Sequence, residues 1–233
     1  MYRLVVSPEQ IQQQQINLDS QQQHYLLRVL RLGNGDRFIA LNGVGQAWLA
    51  EISNQSAYIV ESVEIQTELT VSLSLITALP KGSGYEEILR CGTELGVSNF
   101  IPTISQRTVL KPSPNKVQRW QKIVTEAAEQ SERQIVPTIY SPLKFNAALE
   151  IIPREFSKYI CVARGDLPSL VSRLTDTSGE SMAIATGCEG GWTESEVKMA
   201  IDCGFEPVSL GKRILRAVTA PITVSSLVMA LKQ

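Results

Sequence analysis

The period of apolar and polar positions changes once along the chain. Up to about residue 70 the apolar residues come in short runs separated by turns. "MYRLVV" predicts a first strand, and "RFIAL", "QAWLAEI" and "AYIVESVEI" predict three more, the first two of them joined by the glycine turn "NGVG". In "SQQQHYLLRVLRL", Tyr25, Leu26, Val29 and Leu30 recur at helical spacing, and "GNGD" ends that helix. The glutamine-rich stretch near 12–23 reads as a surface loop. Short strands with glycine turns suggest a compact barrel.

From "VSLSLITAL" onward the apolar runs become continuous. Those at 71–79, 158–163 and 182–186 read as buried parallel strands. Helical patterns lie between them. Tyr85, Ile88, Leu89 and Leu95 mark one, and Val117, Trp120, Val124 and Ala127 mark another. Alternating strands and helices predict an α/β fold with helices on both faces of a parallel sheet. The boundary falls near 68–72, dividing the chain into domains 1–70 and 71–233.

Three strand-to-helix junctions carry candidate chemistry. In "MAIATGCEGGWTESEVKMA" a buried strand runs into Gly187, and Thr193 with Glu196 makes a capping box for the next helix. Glycines at a strand's carboxyl end either let backbone amides approach a ligand or simply make a tight turn. In "PVSLGKRILRAVTAPITVSSLVMAL" a short strand from Pro207 to Leu210 precedes Gly211 and the cations Lys212, Arg213 and Arg216. Those cations suit an anionic or electron-rich substrate, or a solvated surface. A helix opened by Thr219 and Pro221 and lined by Ile222, Leu227 and Met229 follows. In the third junction, strand 71–79 ends at "PKGSG", Glu94 closes the next helix, and Arg107 follows a strand from Phe100 to Ile104.

Charge adds little in bulk. The net charge is -1, so any basic patch must come from local clustering. From Arg107 to Arg133 six cations face three glutamates, which fits either phosphate contacts or a solvated helix face. Four scattered cysteines without a CxxC pair, and His24 as the only histidine, argue against a metal site. The absence of a membrane-length apolar run or a signal-like start predicts a cytoplasmic protein with reduced thiols. The spacing of glycines matches neither GxGxxG nor GxxxxGK[ST], which counts against a nicotinamide, flavin or nucleoside triphosphate site.

Six segments, in order, resemble the RsmE family of 16S ribosomal RNA (uridine-N3-) methyltransferases of the SPOUT class. They are "HYLLRVLRLGNGD", "LPKGSGYEEILRCGTELGV", "IPTISQRTV", "WQKIVTEAAEQSERQIVP", "GCEGGWTESEV" and "VSLGKRILRAVTA", and they span nearly the whole chain. The resemblance implies a PUA-like β-barrel over about 1–70 and a trefoil-knotted parallel-sheet domain beyond. It also implies a homodimer, S-adenosylmethionine as methyl donor, and N3 of uridine 1498 in 16S rRNA of the small ribosomal subunit as target.

The cofactor loops would be Thr186, Gly187, Glu189, Gly190 and Gly191, then Leu210, Gly211, Ile214, Leu215, Arg216 and Thr219, with Leu79 and Gly82 close by. Arg28, Arg31, Lys111, Lys116 and Arg119 would contact RNA. Negative charge develops on O2 and O4 as uracil N3 loses its proton, so the reaction needs donors aimed at those oxygens. Arg216 is the first choice and Arg107 the second, with Glu94 or Glu189 as proton acceptor.

The chain departs from the family twice. Cys188 replaces the usual proline, and Ala217-Val218-Thr219 replaces threonine-glutamate-threonine. These departures leave room for a second reading: an RNA-binding relative with weakened or lost catalysis, or a knotted methyltransferase acting on a different RNA position.

Overall fold

The computed structural model describes all residues, Met1–Gln233. The chain forms two compact units. One comprises Met1–Glu68 with Ala128–Val136, and the other Leu69–Ala127 with Pro137–Gln233.

The first unit is built on β1 (Arg3–Val5), β2 (Ile11–Gln12), β3 (Gln15–Asn17), β4 (Arg37–Leu41), β5 (Ala47–Ser53) and β6 (Ser56–Val63). They form one sheet in the order β1-β4-β5-β6-β3-β2, antiparallel except for the β1–β4 pair. The sheet curls around one core, in which Leu4 of an edge strand and Ile16 near the other edge share a cluster with Phe38, Ala50 and Ile52.

The glutamine-rich stretch is not a loop. Ile11 pairs with Ile16 and Gln12 with Gln15 in a tight hairpin, and Gln13 takes the left-handed conformation at φ 58°. Asp19 then caps α1 (Ser20–Gln23), accepting hydrogen bonds from the amides of Gln21 and Gln22 at 2.8 Å. The helix continues over His24–Val29 in π register, with the Leu30 amide donating to the Tyr25 carbonyl. The wider turn rotates the side chains away from the predicted face. Leu26 is buried, whereas Tyr25 and Val29 are exposed.

The Ala128–Val136 segment belongs to this unit through specific bonds. Glu129 Oε1 accepts from the Val5 amide at 2.6 Å, and Arg3 pairs with Glu132. Arg133 is only 3% exposed, and its guanidinium forks onto Glu68 at 2.7 and 3.1 Å. Arg133 is thus neither a phosphate contact nor part of a solvated face.

The second unit contains β7 (Ser72–Ala78), α2 (Gly84–Glu94), β8 (Asn99–Ile104), most of α3 (Pro114–Gln130), β9 (Thr138–Ile139), β10 (Leu143–Lys144) and α4 (Phe145–Glu150). It continues with β11 (Ser157–Cys161), α5 (Leu170–Asp176), β12 (Ser181–Thr186), α6 (Glu194–Asp202), β13 (Glu206–Val208) and α7 (Thr219–Leu231). Every pairing in its sheet is parallel, in the order β10-β8-β7-β12-β11-β13, with β9 also on β8. Strand β12 separates β7 from β11, and β11 lies between the two strands that follow it in sequence.

One sheet face packs Ile76, Ile101, Ile160 and Ala183 against Phe145, Leu149 and Ala200 of α4 and α6. On the other face α7 meets β7 and β12 beside α2 and α5. The buried side of α7 is Pro221, Val224, Ser225 and Val228. Ile222, Leu227 and Met229, the predicted lining, are only half-buried.

Candidate functional site

A cavity of about 780 Å³ opens where the carboxyl ends of β11, β12 and β13 lie side by side. Parallel sheets leave their ligand crevices at such ends, and small-molecule sites usually measure about 300–1,000 Å³.

One wall is the loop after β12. Thr186, fully buried, ends the strand, and the residues from Gly187 to Trp192 line the cavity. The Gly191 amide closes a turn on the Cys188 carbonyl at 2.8 Å, with Gly191 at φ 65°, a conformation that favours glycine. Arg107 braces this turn from outside, its Nη1 donating to the carbonyls of Gly190 at 2.6 Å and Trp192 at 3.2 Å. Glu189 Oε1 accepts from the Lys81 amide at 3.0 Å, which ties the 79–82 segment to the loop.

Glu196 does more than cap a helix. The residue is 2% exposed, and its carboxylate accepts from the amides of Thr193 at 2.9 Å and Gln106 at 2.7 Å. It therefore fastens the β8 exit, which carries Arg107, to the start of α6. Beneath, the Trp192 ring stacks on Phe145 with centroids 4.5 Å apart.

The second wall is the loop after β13: Leu210, Gly211 and the residues from Arg213 to Val218, followed by Ala220. The third is the end of β11, from Cys161 to Arg164. Burial pushes the Cys161 thiol up to about 12, so it stays protonated at neutral pH.

The structure brings most of the anticipated residues together. Arg107, Thr186, Gly187, Glu189, Gly190, Gly191, Leu210, Gly211, Ile214, Leu215 and Arg216 all line the cavity. Leu79, Gly82, Glu94 and Thr219 are not part of its lining. Leu79 is buried at the end of β7, Glu94 is exposed at the end of α2, and Thr219 is exposed at the start of α7. Two of the expected RNA cations have partners within the second unit: Lys116 donates to the Gly82 carbonyl at 2.8 Å, and Arg119 pairs with Glu86 at 2.9 Å. Lys111, Arg28 and Arg31 are exposed.

Sequence reasoning missed Cys161 to Arg164 and Trp192. The run 158–163 was legible as a strand, and its carboxyl end was the available signal for the first group.

Two side-chain groups at the site are buried with no hydrogen-bond partner: Thr186 Oγ1 and Trp192 Nε1. Buried polar groups are normally satisfied, so their isolation fits a wall meant to meet a ligand. No cluster of three or more His, Cys, Asp or Glu side chains is placed to hold a metal, and no helix is long and apolar enough to cross a membrane.

Residues 67–229 match the RNA methyltransferase domain family, and 18–61 match the RNA methyltransferase PUA domain family. The ribosomal RNA small subunit methyltransferase E of a Synechocystis species is 49% identical over 99% of this chain and 78% of its own length. The chain belongs to the RsmE family. Its Bacillus subtilis member is 31% identical over 95% of this chain and 92% of its own. The Neisseria gonorrhoeae member, solved bound to S-adenosyl methionine, superposes with a TM-score of 0.90 at 30% identity, covering 100% of this chain and 98% of that one.

Proposed function

We propose that the protein is an S-adenosylmethionine-dependent methyltransferase that acts in the cytoplasm on N3 of uridine 1498 in 16S rRNA of the small ribosomal subunit. The observation that carries the reading is the cavity shared by three adjacent strand ends, with a glycine loop on one wall and cations on the others, in a chain of the RsmE family.

S-adenosylmethionine supplies, when bound, an electrophilic methyl on a sulfonium. Gly187, Glu189, Gly190 and Gly191 of one loop and Leu210, Gly211, Ile214 and Leu215 of the other would hold it, and the buried Thr186 hydroxyl offers an unpartnered polar contact. Arg216, exposed at the cavity, donates to the uracil oxygens as N3 loses its proton. Arg107 acts by bracing the glycine loop, with its remaining donors available to the base. Glu189 lines the cavity and Glu94 does not, which favours Glu189 as proton acceptor. Its second oxygen remains available, since the Lys81 amide engages Oε1.

The curled first unit is a PUA-like barrel that contacts RNA through Arg28 and Arg31, with Lys111 adding a contact from the second unit. The second unit is a trefoil knot. Its support is the path from β12 across β11 to β13 and back to α7, packed on β7 and β12. The half-buried Ile222, Leu227 and Met229 of α7 suit a homodimer contact.

The apolar Val218 fits an intact site. A Cβ at Gly84 would lie 2.7 Å from Val218 Cγ2 and 3.3 Å from Pro80 Cγ, so Val218 packs tightly at the start of α2. The test is methyl transfer from labelled S-adenosylmethionine to small subunits lacking this modification, with nucleoside mapping. 3-Methyluridine at 1498 supports the reading, and cofactor binding without transfer defeats it.

A further inference from the structure

The cavity lining carries four arginines, Arg107, Arg164, Arg213 and Arg216, against a single carboxylate, Glu189, so positive charge dominates it. Arg107 braces the glycine loop. The other three are exposed, have no carboxylate within 4.0 Å and make no side-chain hydrogen bond. Among other arginines of the same unit, Arg119 pairs with Glu86 at 2.9 Å and Arg173 with Glu206 at 2.6 Å.

Three uncompensated guanidinium groups around one cavity repel one another until an anion arrives. The methyl donor cannot be that anion. It carries a sulfonium and an ammonium against a single carboxylate, so its own net charge is positive. A second, polyanionic ligand suits the same opening. The guanidinium fork matches phosphate oxygens two at a time.

We propose that Arg164 and Arg213 form a subsite for the phosphodiesters flanking the target nucleotide. This inference rests on reading the cavity as a methyl-transfer centre for RNA. Arg164 follows β11 and Arg213 follows β13, and the two strands are paired neighbours. Adjacent parallel strands lie about 4.8 Å apart, and the loops that leave these two bring both cations to the same cavity. The pair holds the backbone in register while Arg216 reaches the base. Arg164 and Arg213 are positioning residues for the transfer.

The test uses the full chain with S-adenosylhomocysteine present, so that no methyl moves. Binding of a fluorescein-labelled ten-residue oligouridylate is followed by anisotropy as salt is raised. Removing one cation from a phosphate of a single strand lowers the slope of log affinity against log salt by about 0.7, so Arg164→Ala with Arg213→Ala lowers it by about 1.4. The double Arg→Lys variant keeps most of the slope, since the charges remain. S-adenosylmethionine affinity, measured by calorimetry, stays within about twofold of the parent value. An unchanged slope, or a parallel loss of cofactor affinity, overturns the subsite. Parent methylation of 16S rRNA with an unchanged slope defeats the subsite alone. A lowered slope in a protein that methylates no rRNA leaves the anion site standing and defeats the functional reading.

Discussion

The loops after β12 and β13 face one cavity, yet they are secured very differently. The first is fastened from three directions: by Arg107 on the Gly190 and Trp192 carbonyls, by Glu189 on the Lys81 amide, and by Glu196 on the Thr193 and Gln106 amides. The second has a local bond from the Gly211 amide to Ser209 Oγ at 3.1 Å and a helix-start bond from Ala220 to Arg216. Ile214 is 63% exposed there, and its cations have no partners. One wall is preorganised by the protein's own polar groups, whereas the other leaves its groups for a ligand. Substitutions should therefore separate into losses of stability on the first wall and losses of function on the second.

The largest effect is expected at Arg216. Arg216→Ala should lower kcat by about 10²- to 10³-fold, the usual loss for one donor to a developing oxyanion, with unfolding free energy changed by less than about 0.5 kcal/mol. Single-turnover methylation and urea denaturation read the two quantities. A large loss of stability would remove the distinction between the walls. Glu196→Ala should do the opposite, costing about 3 kcal/mol of stability by leaving buried amide donors without an acceptor. Its denaturation midpoint should fall well before its cofactor affinity changes.

Gly84→Ala should cost about 1–3 kcal/mol through overpacking on Val218, and adding Val218→Ala should recover most of that. Thermal unfolding of the double-mutant cycle checks the coupling. The smallest effect is alkaline. Because the Cys161 thiol is held up to about 12, its contribution is complete below the ordinary thiol range near 9 and is lost as pH rises through about 12. In that window the unfolded chain sheds a proton that the folded chain retains. Cys161→Ser should flatten this part of the pH–stability curve.

What could be read from the sequence follows the same division. Continuous apolar runs marked β7, β11 and β12, because a strand buried on both faces leaves no polar alternation to confuse it. Thr193 and Glu196 were legible as a capping box because that motif is local. The reach of Glu196 to the Gln106 amide was not, since it joins residues 90 positions apart. Arg164 escaped notice for a related reason: nothing in the pattern places β11 between β12 and β13. The π register at His24–Val29 defeated a helical reading based on 3.6-residue periodicity. A single boundary near 68–72 leaves Ala128–Val136 with the second domain, because its partners in the first, Val5 and Glu68, are distant in sequence.

The strand order has a consequence in time. During synthesis, the glycine loop can dock once β12 pairs with β7, a registration of Thr186 with Thr77 that must close more than a hundred residues of chain. Such distant pairings make for slow folding. The wall bearing Arg213 and Arg216 emerges later still and must settle on the far side of β11. A nascent chain that has released residues only to about 200 owns the braced wall and lacks the cationic one. Competence to engage an anionic ligand at this site thus arrives only after the braced wall has been made.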